Sequence, residues 1–312
     1  MAEKSTLVHY FDLTRLRGFP RGTDFTFWSA ACGLLLAARN YEIDPRTLAM
    51  THLWFAIGST SLVAGICVLN DIFDRDLDGR VERTKNRPLV TGRIPVLNAS
   101  LFYAVLMAIP VYMLSYTNTT AFRWGLLGVF PLHFFYPLMK RVTYWPQAWL
   151  GLAINYALII AYLTVSNGQF DGHILVLYVG CIAWTIIYDT VYAYQDVRDD
   201  AKIGIKSAAL LFGPKNGRLI LSGFAAVFWA SLYVTGAQNG QGTWFFVISV
   251  AGAGLHLVSQ LWTWKPEDWD SCMAIFVSNG NLGALIWFGL LVDYCVKDAT
   301  ASRFISKYFE GL

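Results

Sequence analysis

The sequence predicts an all-α integral membrane protein, a bundle of about nine transmembrane helices. The chain of 312 residues is 55% hydrophobic and only 14% charged, whereas a soluble domain carries roughly a quarter charged residues. It also contains a series of apolar runs near the length of about 20 residues that crosses a bilayer. This apolar excess would overfill a soluble core, so lipid must solvate much of the surface. The net charge of +3 gives no reason to expect a nucleic-acid partner.

Polar breaks divide the chain into its expected elements. The expected spans are 24–38, 51–70, 97–117, 121–139, 146–166, 172–193, 218–236, 243–263 and 272–296. The first span is the shortest, because it ends before Arg39. Turn residues such as Asn167 and Gly168 separate later spans. We therefore expect a cytoplasmic N-terminal segment at 1–23, one membrane domain at 24–296 and a C-terminal tail at 297–312.

The distribution of Lys and Arg predicts the orientation. With the N-terminus in the cytoplasm, most of the 24 basic residues fall in cytoplasmic loops, as the positive-inside rule requires. Residues 1–23 lack the apolar core of a signal peptide and resemble no mitochondrial presequence. We expect a multi-pass protein of the endoplasmic reticulum or Golgi in a eukaryote, or of the plasma membrane in a bacterium. No obligatory protein partner is expected.

The second apolar run ends in an acidic motif, NDIFDRDLD at 70–78. On a helix, Asn70, Asp71, Asp74 and Asp78 fall within an arc of about 100°, and Asp76 points away from it. Like charges four residues apart destabilise a helix, and ionised carboxylates near a membrane are costly without partners. The motif therefore predicts a bound divalent cation.

The sixth run ends in a similar motif, YDTVYAYQDVRDD at 188–200. On a continuing helix, Asp189, Tyr192, Asp196 and Asp200 would share an arc of about 80°. A single acidic helix end is most often a solvated cap. Two such ends, both at cytoplasmic helix termini, indicate that the carboxylates close on one site.

Basic residues follow both motifs and the fourth run. They are Arg83, Lys85, Arg87, Lys140, Arg141, Lys202 and Lys206. Mg²⁺ prefers a few carboxylates together with substrate phosphates, and Arg and Lys bind the remaining phosphate charge. The sequence therefore predicts a Mg²⁺ and diphosphate site.

These motifs resemble those of the UbiA superfamily of membrane prenyltransferases. The first is similar to the family's NDxxDxxxD and continues as RTKNRP at 83–88; the second is similar to YDxxYAxQDxxxD and continues as KIGIKS at 202–207. The stretches YPLMKR at 136–141, WPQ at 145–147 and NGNLG at 279–283 are similar to the 4-hydroxybenzoate polyprenyltransferase branch. The resemblance extends from about residue 70 to 295.

The resemblance implies nine helices around a central cavity with a cytoplasmic cap. It implies that Mg²⁺ is held by Asn70, Asp71, Asp74, Asp78, Asp196 and Asp200. It implies basic positions for the diphosphate or the acceptor at Arg83, Arg87, Lys140, Arg141 and Lys202. The expected catalytic residues are Asp189, which is tied to the acceptor or to proton removal, Asp196 and Arg141. Candidates for the substrate cavity are Tyr136, Tyr188, Tyr192 and Asn155, the last with a hydrogen bond between helices as its alternative.

The function implied is Mg²⁺-dependent transfer of a prenyl group from an allylic diphosphate to a ring carbon of a phenolic acid. The chain looks like fungal secondary-metabolism members that transfer a farnesyl group. A membrane terpene cyclase, which ionises farnesyl diphosphate without an acceptor, remains an alternative because ionisation needs the same motifs. A transporter is a further alternative, although its acids would be expected near the middle of the bilayer rather than at one face.

Overall fold

The computed structural model describes residues 5–18 and 24–297, and within these ranges the regular structure is helical. The expected C-terminal tail and part of the expected N-terminal segment, with Lys4 and Arg21, lie outside the described residues.

The helices are numbered in chain order. Their bounds are α1 Thr6–Leu13, α2 Phe25–Ala38, α3 Pro45–Asp78, α4 Val96–Leu114, α5 Thr119–Leu127, α6 His133–Val142, α7 Pro146–Ile154, α8 Tyr156–Val165, α9 His173–Ala193, α10 Val197–Ile203, α11 Ala208–Gln238, α12 Gly252–Thr263 and α13 Trp269–Lys297. A 3₁₀ turn at Leu16–Gly18 follows α1, and π-helical turns at Gly128–Leu132 and Phe245–Ala251 precede α6 and α12.

Seven helical stretches of the described chain are long and apolar enough to cross a membrane. They are α3, α4, α7 with α8, α9, α11, α12 with its preceding π turn, and α13. Helix α2 is apolar but shorter, and the run from α5 through α6 is not among the seven. The multi-pass helical membrane fold is confirmed, whereas the count of nine spans stays a prediction.

Three helices begin or break differently from the sequence-based expectation. The fifth expected span is divided at Asn155 into α7 and α8. Helix α11 begins ten residues before the expected span. It kinks at Gly213, which has a φ of 65° and is followed by Pro214. Helix α9 ends at Ala193, and α10 is a separate helix that starts at Val197. The last difference changes the second acidic motif.

Helix α9 lies at the centre of the bundle, where it packs against α11, α7 and α13. Helix α2 packs against α8, α13 and α3. Large apolar side chains on the outer helices, such as Leu101, Leu219 and Leu255, are exposed, as expected for a surface that lipid covers.

A small second core fixes the N-terminal helix and the 79–95 loop to the end of the bundle. Leu13 from α1 and Val68 from α3 pack with Leu89 and Ile94 from the loop and with Ala99 from α4. This packing holds α1 and the loop over the acidic end of α3. The basic residues of the loop, and the one just after α1, can therefore reach the carboxylates.

Candidate functional site

The acidic end of α3 is buried under basic side chains. Asp71, Asp74 and Asp78 are all buried. Arg87 lies between two of them, with Nη1 at 3.0 Å from Asp71 Oδ1 and 2.5 Å from Asp78 Oδ2. Like-charged carboxylates at this spacing repel one another, and the Arg87 guanidinium offsets that repulsion.

Arg15, which the sequence analysis did not assign to the site, is the second partner of Asp71. Its Nη2 donates to Asp71 Oδ1 at 2.5 Å. Its backbone has a φ of 61°, an uncommon left-handed conformation for a residue with a side chain, and its Nη1 donates to Asp12 O at 3.0 Å. The sequence signal for it is weak: Arg15 is one of three arginines, with Arg17 and Arg21, that precede the first apolar run.

Helix α6 supplies two further cations to the same acidic end. Lys140 Nζ donates to Asp74 Oδ2 at 3.1 Å. Arg141 Nη2 lies 3.9 Å from Asp74 Oδ1 and donates to the carbonyl of Phe73 at 2.6 Å. Both residues stand where α6 ends, so one helix terminus contributes the two charges.

The second acidic motif does not occupy one helix face, and the expectation of a continuous 80° arc is wrong. Asp189 lies on α9, but the chain leaves α9 after Ala193 and turns through Asp196, whose φ of −106° and ψ of 0° are not helical. Asp200 lies on α10. The turn is held because Tyr194 Oη donates to Gly213 O at 2.7 Å, at the kink of α11.

One ion pair joins the two motifs despite that break. Arg83 Nε and Nη2 donate to Asp196 Oδ1 and Oδ2 at 3.1 and 2.6 Å. This is the paired geometry that binds carboxylate or phosphate most specifically. The Arg83 guanidinium also stands 5.8 Å from the centroid of the Tyr192 ring.

A cavity of about 380 Å³ lies between the two motifs. Most of the expected site residues line it: Asn70, Asp74, Asp78, Arg83, Arg87, Tyr136, Lys140, Tyr188, Asp189, Tyr192, Asp196 and Asp200. Arg15 also lines the cavity. The cavity therefore has a charged end and an aromatic end.

Other expected site residues lie outside this wall. Asp71 stands behind it, almost fully covered by its two arginines. Lys202 is exposed and pairs with Asp199 at 2.9 Å. Asn155 is fully buried at the break between α7 and α8, where its amide forms hydrogen bonds with Ser29 and Thr185. Hydrogen bonding between helices was the alternative expected for this residue.

The aromatic end is a packed cluster. The ring of Tyr188 lies 4.2 Å from that of Phe25, and the ring of Tyr192 lies 4.6 Å from that of Phe276, between centroids. Phe25 and Phe276 were not among the expected site residues. Ring faces attract cations, so this wall suits an apolar group that carries positive charge.

Three buried oxygen atoms fit a hard metal ion. Asn70 Oδ1, Asp71 Oδ2 and Asp74 Oδ1 accept no hydrogen bond, although buried polar atoms are normally paired. Oxygen ligands of this kind suit Mg²⁺. Within residues 5–18 and 24–297, however, no three His, Cys, Asp or Glu side chains are gathered into a ready-made metal centre. The three oxygen atoms fit Mg²⁺, and the other oxygen atoms of the same carboxylates pair with Arg and Lys side chains.

Asp200 is the carboxylate that α10 contributes to the cavity wall. The pKa of Asp200 is raised to about 7, mainly because the carboxyl group is buried and secondly because the Asp196 carboxylate lies nearby. A carboxyl group in such surroundings gains most from a nearby positive charge.

Buried acids and bases beside aromatic rings, all within a helical membrane bundle, indicate an enzyme that binds a charged group and an apolar group together. The model of the UbiA prenyltransferase family matches residues 26–288. The chain belongs to the UbiA prenyltransferase family, and it is an aromatic prenyltransferase.

Two curated relatives support this assignment along nearly the whole chain. The UbiA prenyltransferase claS of Ampulloclitocybe clavipes is 42% identical and covers 93% of this chain and 92% of its own. The mitochondrial 4-hydroxybenzoate polyprenyltransferase of Schizosaccharomyces pombe is 34% identical and covers 93% of this chain and 80% of its own.

Solved structures share the fold. A UbiA homolog from Aeropyrum pernix K1, in its apo form, superposes with a TM-score of 0.74 at 24% identity, over 87% of this chain and 98% of that one. A UbiA homolog from Archaeoglobus fulgidus bound to GPP and Mg²⁺ gives 0.67 at 17% identity, over 92% and 99%.

Proposed function

We propose that the enzyme transfers a farnesyl group from farnesyl diphosphate to a ring carbon of a phenolic acid. The bond between the allylic carbon and the diphosphate oxygen breaks, and its electron pair leaves with the diphosphate. A ring carbon of the phenol then forms the new carbon–carbon bond, and the ring releases a proton. The observation that carries the proposal is one cavity with cations and carboxylates at one end and aromatic rings at the other.

The charged end binds the diphosphate in this proposal. Arg83, Arg87 and Lys140 line the cavity and already hold acidic oxygens, so a diphosphate can take the place of carboxylates as their partner. Bound Mg²⁺ would supply Lewis-acid stabilisation of the departing diphosphate. Asn70, Asp71, Asp74, Asp78, Asp196 and Asp200 are the residues that would hold it. The structure of the Archaeoglobus homolog bound to GPP and Mg²⁺ supports both ligands.

The aromatic end protects the allylic cation. Tyr136, Tyr188 and Tyr192 line the cavity, and their ring faces stabilise positive charge. Water would quench the cation, so the chamber must be dry. Asp189 lines the same chamber and is our candidate for the base that accepts the ring proton, with Arg141 and Asp196 acting on the leaving group.

The relatives, and not the shape of the cavity, support a phenolic acid as the acceptor. The 4-hydroxybenzoate polyprenyltransferase of Schizosaccharomyces pombe is named for a phenolic acid, and claS is a fungal UbiA prenyltransferase. We therefore assign this enzyme to the biosynthesis of prenylated phenols, in an endomembrane if the organism is a eukaryote and in the plasma membrane if it is a bacterium. The charged end of the cavity and the N-terminus face the cytoplasm in this proposal. The excess of basic residues in the loops at that end supports this orientation.

The test uses the full-length protein in detergent or nanodiscs. Farnesyl diphosphate is incubated with a panel of hydroxybenzoic and orsellinic-type acids, with Mg²⁺ or with EDTA, and products are identified by mass spectrometry. We expect a farnesylated acid and inorganic diphosphate only when Mg²⁺ is present. Release of a cyclic hydrocarbon or alcohol from farnesyl diphosphate alone would instead identify a terpene cyclase.

A further inference from the structure

An open groove between α11 and α12 shares no wall residue with the catalytic cavity between the two acidic motifs. It holds about 720 Å³. Its floor is formed by the buried side chains of Ala225, Leu257 and Leu261. Small residues, Ala226 and Gly254 among them, line the groove and keep it open. We call it the α11–α12 groove.

Contacts between the two helices fix both ends of the α11–α12 groove. At its inner end, Trp229 Nε1 donates to the carbonyl of Val250 at 2.9 Å. A Cβ on Gly254 would lie 2.9 Å from the same indole nitrogen, so glycine leaves room for the ring. At its outer end, Arg218 Nη2 donates to the carbonyl of Trp264. The groove therefore has a defined length, from Arg218 to Trp229.

That length matches one leaflet of a bilayer. Arg218 and Trp229 are eleven residues apart on α11, which corresponds to about 16 Å along a helix. Half of a hydrocarbon core about 30 Å thick is about 15 Å. Trp262 lines the groove and is 80% exposed, as is common for Trp at a membrane surface. The Trp264 ring lies 5.1 Å from the Tyr194 ring, between centroids, so the outer end of the groove lies at the same end of the bundle as the second acidic motif.

The outer end of the groove carries an uncompensated positive charge. Among the described residues that line the groove, Arg218 alone is charged. It forms no ion pair within the described part of the chain, and its bond to the Trp264 carbonyl leaves further guanidinium N–H groups available. Glu267 and Asp268, in the loop after α12, do not line the groove. A guanidinium at this position is suited to a phosphate group.

A second copy of the chain would fit the groove less well than a lipid. In a two-fold dimer within one membrane, the same surface meets itself at the same depth. The two copies of Arg218 would then approach each other without an anion between them. Two concave surfaces would also leave unfilled space, which forfeits packing contacts. A lipid with a phosphate headgroup supplies both the missing charge and an apolar chain.

We propose that the α11–α12 groove binds an anionic phospholipid from the leaflet at the charged end of the catalytic cavity. The lipid phosphate pairs with Arg218, and one acyl chain lies along the groove as far as Trp229. Burial of the chain on the apolar floor stabilises the complex, and the basic side chain favours acidic lipids. The inference does not rest on the proposed function, because no step of prenyl transfer uses this groove.

The experiment measures, by native mass spectrometry, which phospholipids the full-length protein retains. The protein in detergent is incubated with equal amounts of dioleoyl phosphatidylglycerol and dioleoyl phosphatidylcholine, and we expect phosphatidylglycerol to be retained preferentially. Arg218→Gln should lower the ratio of phosphatidylglycerol to phosphatidylcholine by about fivefold, which equals roughly 1 kcal/mol. Arg93→Gln is the matched control, because Arg93 is exposed in the 79–95 loop and does not line the groove; the ratio should not change.

A second pair of variants tests the position of the acyl chain. Ala226 is exposed and lines the groove, so Ala226→Phe fills the groove and should reduce the retention of both lipids. The neighbouring Val227 is exposed and does not line the groove, so Val227→Phe should have no effect. Glycerol 3-phosphate, which carries the phosphate without the chains, should not displace the lipid.

Three results of these measurements would overturn the inference. They are equal retention of the two lipids by the wild-type protein, an unchanged lipid ratio in folded Arg218→Gln, and displacement of the lipid by glycerol 3-phosphate. A dimer that Ala226→Phe dissociates while the lipid counts stay the same would also overturn it, because the groove would then be a contact between two copies of the chain.

Discussion

Arg83 and Asp196 connect the two acidic motifs directly, through paired hydrogen bonds of 3.1 and 2.6 Å. The contact joins the 79–95 loop to the turn between α9 and α10, more than a hundred residues further along the chain. Both residues line the catalytic cavity. Two separate loops therefore contribute to the charged end of the site beside α3 and α6, and this pair keeps the loops together.

The first prediction concerns the planar geometry of that pair. Arg83→Lys keeps the charge but loses the paired donors, since the Lys ammonium is a compact point charge. We expect kcat/KM for the diphosphate donor to fall by about tenfold or more, because one bond to a charged group contributes roughly 1.5–3 kcal/mol. Steady-state kinetics over a range of donor concentrations measures this. Arg75→Lys is the control, because Arg75 is half-exposed and pairs with the exposed Asp76; an equal loss in both variants would refute a specific role for Arg83.

The second prediction separates Asp74 from Asp76 on the same helix. Asp74 is buried and lines the cavity, whereas the Asp76 side chain is 81% exposed. We expect Asp74→Ala to reduce kcat by about a hundredfold or more, as when one preorganised electrostatic contact is removed. Asp76→Ala should keep most of the activity. If the two variants are equally damaged while both remain folded, the assignment of the α3 face to the metal–diphosphate site is wrong.

The third prediction is that Asp74 and Asp196 act as one unit. Residues that share one function give double mutants whose loss is far smaller than the product of the single losses. We therefore expect Asp74→Ala with Asp196→Ala to be little worse than either single variant. Rate measurements on the four proteins of this cycle provide the test. Full multiplication of the two losses would show that the motifs contribute independently.

The fourth prediction concerns Arg15, which pairs with Asp71 at 2.5 Å. Arg15→Ala leaves Arg87 as the remaining cation at that carboxylate, so we expect a raised KM for the donor and a higher Mg²⁺ concentration for half-maximal activity. Arg17→Ala is the control, because Arg17 is half-exposed and pairs with Asp12. Titration of both variants with donor and with Mg²⁺ separates them; identical curves would remove Arg15 from the site.

The fifth prediction concerns stability at the opposite end of the bundle. Arg39 on the loop after α2 donates to Asp293 of α13 at 3.0 Å, and Gly242 N donates to the same oxygen. Asp293→Ala leaves the largely covered Arg39 side chain without this carboxylate, and breaking a fully buried pair costs about 3–5 kcal/mol. We expect a clearly lower melting temperature in detergent with normal kcat/KM at low temperature. Glu82→Gln, which removes an exposed pair with Lys85, should not change the melting temperature.

The sequence predicted the elements whose signals are local. The charge spacing at 70–78 could be assigned to a helix end, because carboxylates at i and i+4 share a face in any helix. The structure places these carboxylates at the C-terminal end of α3 and buries them. The family resemblance, based on these motifs, is confirmed by the match over residues 26–288.

Features that depend on tertiary contacts were missed. Nothing in YAYQDVRDD requires a helix to stop, since the segment has no Gly or Pro; the turn at Asp196 depends on Tyr194 reaching the α11 kink. The break at Asn155 depends in the same way on partners from α2 and α9. Arg15 reaches Asp71 only because the small core around Leu13 docks α1 on α3. Such contacts join residues far apart in sequence, where periodicity carries no information.

The ion pairs at the charged end have a consequence for ligand selection. They join Asp71 to Arg15, Asp74 to Lys140, Asp78 to Arg87 and Asp196 to Arg83. Acids and bases already neutralise one another, so the charged end offers no strong field of either sign to an isolated ion. A free cation gains only the oxygen atoms that the basic side chains leave unpaired, and a free anion has to displace the acidic side chains. A ligand that carries a cation and an anion together can pair with the acidic and the basic side chains at the same time. We therefore expect a magnesium–diphosphate complex to bind far more tightly than Mg²⁺ or diphosphate alone, so that free intracellular phosphates compete poorly with the prenyl donor.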